Sequence, residues 1–388
     1  MNAKNLLTAV LAPLTAVVLF MVLAQVGKTQ GLFSALPRAI NAPSDNPQTP
    51  AKVALGRLLF WDPILSGNKD VACGTCHHPQ FGYAENLDIS IGVNGVGLGS
   101  HRRFASPNSI PFVKRNTQTI LNTAFNGIDP GGRYNPSTAP MFWDLRAAGL
   151  EAQALLPIQT FEEMRGEAYP EDKASDHVVA RLKAIPEYRT LFTQAFGGDP
   201  AVTAANLGKA LAAFQRSLVA NNSPFDRYMR GDRNAMTSAQ VLGMRSFERV
   251  GCINCHNGPM FSDYKVHVLG VPDNRKLPMS DRGTNETYAF RTASLRNLAY
   301  TAPYMHTGVF STLEDVLEFY DDVSDRRPRN ANRNLRPGQF DPLLRELDDV
   351  NDEGDSIIEF LRALNDESFD KTIPPRVPSG LHPGGRIE

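Results

Sequence analysis

The sequence has no excess of charge of either sign, because 40 lysines and arginines stand against 41 aspartates and glutamates. Binding to nucleic acid or to an anionic membrane surface depends largely on a basic excess, so neither is expected here. Alternation of apolar and polar residues, the pattern of a half-buried strand, is weak as well. The 388 residues are enough for two domains.

The N-terminus carries a long apolar run, from Leu6 to Val26, with Lys4 before it. A basic residue followed by such a run is typical of an export signal, and about 20 apolar residues also suffice to span a bilayer. We therefore predict that residues 1–28 are a signal peptide or an N-terminal membrane anchor, followed by a polar, proline-rich linker at 29–50. The protein is expected in the periplasm, either free after cleavage or attached to the inner membrane.

Cysteine is scarce, and all four cysteines fall in two C-x-x-C-H motifs. The motif residues are Cys73, Cys76 and His77, then Cys252, Cys255 and His256. This spacing is typical of covalent haem attachment, in which two thiols bond the haem vinyl groups and the adjacent histidine binds the iron. Disulfides, a zinc site or a thioredoxin-like redox pair are the alternatives. None of them explains why a histidine is the next residue after each cysteine pair.

The two motifs lie near the starts of two halves, which predicts an N-terminal haem domain at 51–225 and a C-terminal one at 226–370. Residues 371–388 are expected to be a tail. Apolar residues three and four apart predict helices at 51–60, 145–164, 201–220 and 237–250. We expect a mainly α fold of two cytochrome c-like haem domains with long loops and little β structure.

Around the motifs, several stretches resemble the bacterial dihaem cytochrome c peroxidase and MauG superfamily. They are residues 61–67, 73–79, 115–122, 142–147, 251–258, 294–298 and 301–308. Their order and spacing hold from about residue 45 to 365, and the chain looks closer to the MauG-like branch. The resemblance implies two covalently bound haem c groups, the N-terminal one peroxidatic and the C-terminal one for electron transfer.

Two positions carry the likeness to the MauG branch. Val93 stands where the common peroxidases place a distal histidine, so the first haem is expected to have an open coordination site; His101 is the alternative ligand. We therefore expect the oxidised protein to react with peroxide without prior reduction. Tyr320 stands where those peroxidases place an axial methionine on the second haem, with Met305 and Met279 as alternatives. The spacing alone equally suits core packing on a helix that begins at Thr312.

The resemblance also implies a peroxide site. Glu163 would be the acid and base, with Glu162 as the adjacent alternative, Gln153 would hydrogen-bond peroxide, and Pro157 would shape the pocket. Trp143 would lie between the haems and relay electrons. Val250 replaces a tryptophan that MauG carries before its second motif, which argues against long-range oxidation of a protein substrate.

One calcium ion between the haems is implied in the same way, held by the Asn116 side chain and the Thr301 and Pro303 carbonyl oxygens. His267, His306 and Arg296 are expected to be hydrogen-bonding groups near haem edges, not ligands. The expected activity is reduction of hydrogen peroxide with electrons from a small redox protein, a c-type cytochrome or a cupredoxin. The alternatives are a MauG-like oxidase that modifies a partner protein and a non-enzymatic dihaem electron carrier.

The motif assignment makes a direct prediction about mass. Correctly matured protein should show an intense Soret band and a mass that includes two haem groups, because each motif supplies both thiols for covalent attachment. Intact-mass spectrometry and absorption spectroscopy check this on the purified protein. A mass without the two groups, or no Soret band, would contradict the haem assignment.

Overall fold

The computed structural model describes residues 32–325 and 328–388, so the predicted signal or anchor at 1–28 lies outside the described residues. The first helices are α1 (Pro50–Trp61), α2 (Cys73–Cys76), α3 (Leu150–Gln153), α4 (Leu156–Gln159), α5 (Ala174–Ala184) and α6 (Pro186–Phe196). The later ones are α7 (Ala204–Ser217), α8 (Pro224–Met229), α9 (Ser238–Arg249), α10 (Leu313–Ser324) and α11 (Gly354–Arg362). In the described ranges, no helix is both long enough and apolar enough to cross a bilayer.

The β structure consists of short two-residue strands that pair antiparallel as β1–β2, β3–β4 and β5–β6. Their bounds are β1 (Gly95–Val96), β2 (Arg103–Phe104), β3 (Pro140–Met141), β4 (Ala147–Ala148), β5 (Val266–His267) and β6 (Phe290–Arg291). Long loops with short 3₁₀ turns connect the helices. The predicted fold class, mainly α with long loops and little β structure, is confirmed.

The predicted helices near 51–60 and 237–250 correspond to α1 and α9. A capping box closes the start of α9, where Thr237 and Gln240 satisfy each other's backbone amides. The predicted helix at 201–220 is shorter than expected. It begins after Thr203, whose hydroxyl accepts from the Asn206 amide, and not at Pro200.

The single helix predicted at 145–164 was wrong. The segment instead forms β4, the short helices α3 and α4, and a π-helical turn at Phe161–Arg165. Pro157 has no amide hydrogen and its ring clashes with the preceding turn, so a continuous helix cannot pass through it. The broken path lets this segment wrap around a cavity.

A close helix pair supports each half of the molecule. In the first half, a β-carbon at Gly56 of α1 would lie 2.0 Å from the Ala210 carbonyl oxygen of α7. In the second half, a β-carbon at Gly243 of α9 would lie 1.9 Å from the Ser356 carbonyl oxygen of α11. Only glycine permits such an approach. Helices α1 and α9 each precede one of the two cysteine motifs along the chain, so one close helix pair lies in each half that carries a motif.

The ends of the described chain pack across the two halves. Phe33, from the predicted linker at 29–50, lies in the hydrophobic core of the second half. Phe369 and Val377 lie in the core of the first half, so the predicted tail at 371–388 is packed as well. The Gly384 amide donates to the Trp61 carbonyl oxygen at 2.7 Å. Neither segment is free where the structure describes it, because each buries apolar side chains; the boundary at residue 225 stays a prediction.

The packing of Phe33 generates a stability prediction. Its ring lies 5.9 to 6.4 Å, between centroids, from four other aromatic rings of the second core. We expect Phe33→Ala to lower the free energy of unfolding by about 3 kcal/mol, because it leaves a cavity among these rings. Denaturant unfolding followed by circular dichroism measures the loss. Leu242→Ala, at a side chain 58% exposed, is the matched control; an equal effect of both changes would show that the N-terminal segment adds little.

Candidate functional site

Two cavities lie next to the two cysteine motifs. Cavity 1, of about 170 Å³, is lined by Cys73, Cys76 and His77. Cavity 2, of about 230 Å³, is lined by Cys252, Cys255 and His256. The thiols and the histidine of each motif therefore face one space, as the attachment of a single prosthetic group requires.

Each motif histidine is held by the same kind of hydrogen bond. The Nδ1 atom of His77 lies 3.0 Å from the Tyr83 carbonyl oxygen, and that of His256 lies 2.9 Å from the Phe261 carbonyl oxygen. Histidines that bind a metal through Nε2 commonly donate their other N–H to a carbonyl in this way. The two acceptors, Tyr83 and Phe261, have φ values of 57° and 52°, which is unusual for aromatic residues and typical of functional sites.

The thiols suit thioether formation better than the alternatives. All four cysteines are free of disulfides. Burial raises the pKa of Cys73 and of Cys252 to about 12. A structural zinc site has four ligands, and the described residues hold no group of three or more His, Cys, Asp or Glu side chains that could hold a metal ion. The residues present therefore fit a covalently attached haem in each cavity.

The cavities share a wall. Residues lining both are Asn116, Thr117, Gln118, Thr119 and Trp143. The Trp143 indole N–H donates to the Asn116 carbonyl oxygen at 3.0 Å, which fixes the ring in this wall. On the cavity 2 side, its ring centroid lies 6.2 Å from that of His306 in an edge-on contact. Trp143 is thus the large aromatic group in the wall between the two cavities.

The predicted peroxide residues lie together in cavity 1. Gln153, Pro157 and Glu163 all line it beside His77. Burial raises the pKa of Glu163 to about 7, while the positive charge of Arg146 acts in the opposite direction. A carboxyl group with that pKa can both accept and donate a proton near neutral pH. Glu162, the adjacent alternative, is not among the residues lining the cavity.

Val93 lies behind the wall of cavity 1. Its side chain is fully buried in the first hydrophobic core, and its amide donates to the Glu163 carbonyl oxygen at 3.0 Å. His101, the alternative ligand, is exposed and lines neither cavity. The loop that follows the first motif therefore brings no histidine into cavity 1.

Cavity 2 contains Tyr320. Helix α10 begins after a capping box of Thr312 and Asp315, and its residues Leu313, Val316, Leu317 and Tyr320 line the cavity as one stripe. Burial raises the pKa of the Tyr320 phenol, so phenolate there would depend on a nearby metal charge. Met305 lines the same cavity, whereas Met279 is 80% exposed and lines neither. Met279 is therefore excluded as an alternative ligand.

The residues implied for calcium share one cavity. Asn116, Thr301 and Pro303 all line cavity 2. The Asn116 amide nitrogen donates to the Leu87 and Asp88 carbonyl oxygens at 3.0 and 3.2 Å, which leaves the side-chain oxygen facing away from them. Amide and carbonyl oxygens are ligands that calcium accepts. The residues present thus fit such a site.

The three groups expected at haem edges have different environments. His267 lines cavity 2 between Asp341 at 2.7 Å and Asp263 at 3.2 Å; the hydrogen bond with Asp263 is the main reason that its pKa rises to about 11. His306 lines the cavity too, and burial lowers its pKa to about 3. Arg296 does not line cavity 2. Its guanidinium forms a buried ion pair with Asp226 and donates to the Pro259 carbonyl oxygen at 2.6 Å, so its place near a haem edge stays a prediction.

Sequence reasoning missed Arg291. This buried guanidinium lines cavity 2 and donates to the Phe142 and Thr292 carbonyl oxygens and to Gln118, at 2.9, 3.2 and 3.3 Å. Burial lowers its pKa, and no carboxylate is paired with it among the described residues. An arginine of this kind suits an acidic group of a bound ligand. No signal in the sequence distinguishes it from the other arginines, because its partners come from distant segments.

Comparison with known proteins agrees with this geometry. The family model for di-haem cytochrome c peroxidase matches residues 50–234. The methylamine utilization protein MauG of Methylorubrum extorquens is 35% identical over 343 residues, which cover 87% of this chain and 85% of that protein. The cytochrome-c peroxidase IdrP1 of Pseudomonas sp. strain SCT is 34% identical, with 84% of each chain covered. A solved MauG-like protein associated with microbial copper homeostasis superposes with a TM-score of 0.68 at 26% identity, covering 86% of this chain and 95% of the other.

Two cavities, each with a C-x-x-C-H motif and a shared tryptophan wall, define a dihaem c-type cytochrome. The chain belongs to the di-haem cytochrome c peroxidase and MauG family. Membership implies haem c as the cofactor and a peroxidase type of oxidoreductase chemistry. Its relatives include both peroxidases and MauG proteins at similar identity, so the family alone does not separate the two roles.

The position of Tyr320 generates a spectroscopic prediction. If its oxygen binds the second haem, Tyr320→Phe and Tyr320→Met should change the absorption and electron paramagnetic resonance spectra of one haem. Loss of an anionic ligand should also raise that haem's potential, on the order of 100 mV. Tyr304→Phe is the control, since Tyr304 lines the same cavity but donates its hydroxyl to the Leu298 carbonyl oxygen at 3.0 Å. Unchanged spectra in both Tyr320 variants would show that Tyr320 is not a haem ligand and only packs in the core.

Proposed function

We propose that the protein is a dihaem c-type peroxidase that reduces hydrogen peroxide to water with electrons from a small redox protein. A c-type cytochrome or a cupredoxin is the expected donor class. The observation that carries the proposal is that Glu163 and Gln153 face the same cavity as His77. An electron carrier with two filled iron sites needs neither a tuned carboxyl group nor free space beside it, so this observation favours catalysis.

Glu163 manages the protons in this scheme. As a carboxylate it accepts a proton from hydrogen peroxide, and as the acid it returns that proton to the departing oxygen. Because that proton belongs to the peroxide itself, two electrons from the donor and two further protons from solvent are needed to convert one peroxide to two waters. Gln153 holds peroxide by hydrogen bonds, and Pro157 shapes the cavity that it lines. Haem supplies the iron and the redox capacity for cleavage of the oxygen–oxygen bond when it is bound.

Electrons enter near cavity 2 in this scheme and pass through the shared wall. Trp143 is the candidate relay because it lines both cavities and its indole is fixed by Asn116. Tyr320 would bind the iron of the second haem, and Asn116, Thr301 and Pro303 would supply the oxygen atoms that hold calcium. Export to the periplasm, by a cleaved signal or an anchor at residues 1–28, belongs to the same proposal, since c-type haem is attached outside the cytoplasm.

A second candidate is an oxidase that uses the peroxide-oxidised haem pair to modify a partner protein. The 35% identity to MauG and the position of Tyr320 in cavity 2 favour it. Val250 argues against it, because this residue is 1% exposed and aliphatic where an aromatic relay toward the surface would be needed. A partner that becomes covalently modified when peroxide is added would support this second role over peroxide removal.

Glu163→Gln tests the proposal. Mixing oxidised protein with hydrogen peroxide in stopped flow should give a spectral change in the parent whose rate rises as pH increases through about 7, because Glu163 must lose its proton to act as a base. The glutamine variant should react about 100-fold or more slowly, with no such pH dependence.

Glu162→Gln is the matched control for this experiment. It removes a neighbouring carboxylate that does not line cavity 1, so its rate should stay close to that of the parent. No reaction of the oxidised parent with peroxide, or equal losses in both variants, would contradict the role of Glu163.

A further inference from the structure

Arg102 is buried among backbone carbonyl groups. Its side chain is 4% exposed and forms no ion pair among the described residues. The guanidinium donates to the Ile91, Gly92 and Gly97 carbonyl oxygens at 2.5, 2.8 and 2.9 Å. A guanidinium has five N–H donors in a rigid fork, so one arginine can fix several points of a loop at once.

The loop that Arg102 holds lies directly against the backbone of Glu163. The Val93 amide donates to the Glu163 carbonyl oxygen at 3.0 Å. At Gly92, a β-carbon would lie 2.1 Å from the Glu162 carbonyl oxygen and 2.3 Å from that of Glu163. No other residue fits there without moving the turn that carries Glu163.

That turn depends on outside support. Residues Phe161–Arg165 form a single π-helical turn, closed by a hydrogen bond from Gly166 to the Phe161 carbonyl oxygen at 2.9 Å. Isolated π turns are less favourable than α-helix and are found mostly at functional sites. Two of its carbonyl oxygens accept from other segments, Glu163 from Val93 and Met164 from Gly67 at 2.7 Å.

The C-terminus completes the arrangement. The Arg386 carbonyl oxygen accepts from the Gly97 amide at 3.0 Å and from the Arg102 guanidinium at 3.4 Å. The Arg386 amide donates to the Asp70 carbonyl oxygen at 3.0 Å, and the Asp70 carboxylate accepts from the Asn94 amide at 2.8 Å. The last residues of the chain are therefore tied to the loop that Arg102 holds.

We propose that Arg102 is a positioning residue for Glu163: it fixes residues 91–93 against the Glu163 turn, and the C-terminal Arg386 closes this clamp. The proposal rests on the proposed peroxidase function, in which Glu163 must reach peroxide in cavity 1. Small displacements of a catalytic group can lower a rate by about 100-fold. A rigid clamp keeps the carboxyl group in place without a haem ligand from the loop.

Arg102 could affect Glu163 through its positive charge as well as through its hydrogen bonds, so the test has to distinguish the two effects. The positive charge of Arg102 also acts on Glu85 and Cys76. Glu163 interacts with Arg146, Glu162 and the two cysteines of the first motif. Arg102→Lys keeps the charge but loses the fork, so it distinguishes the two effects.

Three variants test the clamp on the full-length, haem-loaded protein. Gly92→Ala pushes on the Glu163 turn, Arg102→Gln removes the fork, and a chain ending at Gly385 removes the Arg386 carbonyl group. Gly338→Ala is the control for the first, because nothing lies within 4 Å of its added carbon. Arg230→Gln is the control for the second, since Arg230 donates to the Leu36 and Asn221 carbonyl oxygens at 2.8 and 2.7 Å, away from cavity 1.

The expected results combine two measurements. Hydrogen exchange at the amides of 91–97 and 161–166 should become at least tenfold faster in the three variants and unchanged in the controls. The rate of reaction with peroxide should fall at least tenfold, with a shifted midpoint in its pH profile, and Arg102→Lys should not restore it. If Arg102→Gln does not fold, the Gly92 variant and the shortened chain decide the question.

Several outcomes would overturn the proposal. Exchange and peroxide rates within twofold of the parent in Gly92→Ala and the shortened chain would show that the clamp does not position Glu163. Full recovery in Arg102→Lys would show that charge, and not geometry, matters. A parent that is inert to peroxide would reject the proposed function, and the exchange data would still decide whether the clamp exists.

Discussion

The structure depends on two hydrogen bonds that hold the motif histidines by Nδ1, one to the Tyr83 carbonyl oxygen and one to that of Phe261. Each bond leaves the other ring nitrogen for a metal and fixes the plane of the ring. Each carbonyl belongs to an aromatic residue in the left-handed backbone region, which costs on the order of 1–3 kcal/mol and must be offset by surrounding packing. Aromatic rings surround both residues: Tyr83 packs against Phe60 and Phe369, and Phe261 packs against Phe225 and Phe360.

The wall between the cavities connects the two candidate haem sites. A two-site redox protein needs its centres close together and kept apart from bulk water. Segment 116–119 and Trp143 meet the first of these needs, because the same residues line both cavities. The backbone of Asn116 is fixed on both sides. Its N–H donates to the His306 carbonyl oxygen at 2.8 Å, and its carbonyl oxygen accepts from the Trp143 indole N–H.

Much of the site could be predicted from the sequence, because covalent chemistry demands a fixed local spacing. Two thiols and a histidine within five residues identify each haem motif without any tertiary information. Helices α9 and α10 could also be predicted from the sequence, since local hydrogen bonds of Thr237 and Thr312 cap their starts. The segment 145–164 was not, because its apolar spacing resembles a helix and the break at Pro157 serves the cavity.

The roles of three arginines could not be predicted from the sequence either. Arg102, Arg291 and Arg296 look alike in the sequence, yet one holds a loop, one lines cavity 2 and one pairs with a buried aspartate. A guanidinium takes its role from partners that are distant along the chain. The same limit applies to the predicted linker and tail, where the composition does not show that Phe33 and Val377 are buried in the two cores.

The sequence by itself determined the chemistry: which residues can attach haem, and that the fold is mainly helical with long loops. Those properties follow from local spacing, periodicity and capping, which need only near neighbours along the chain. Only the tertiary structure decided that Glu163 and Gln153 face the first motif, that Trp143 stands between the cavities, and that the C-terminus holds the loop beside Glu163. These are contacts between segments far apart in sequence, and long-range packing alone sets which of them form.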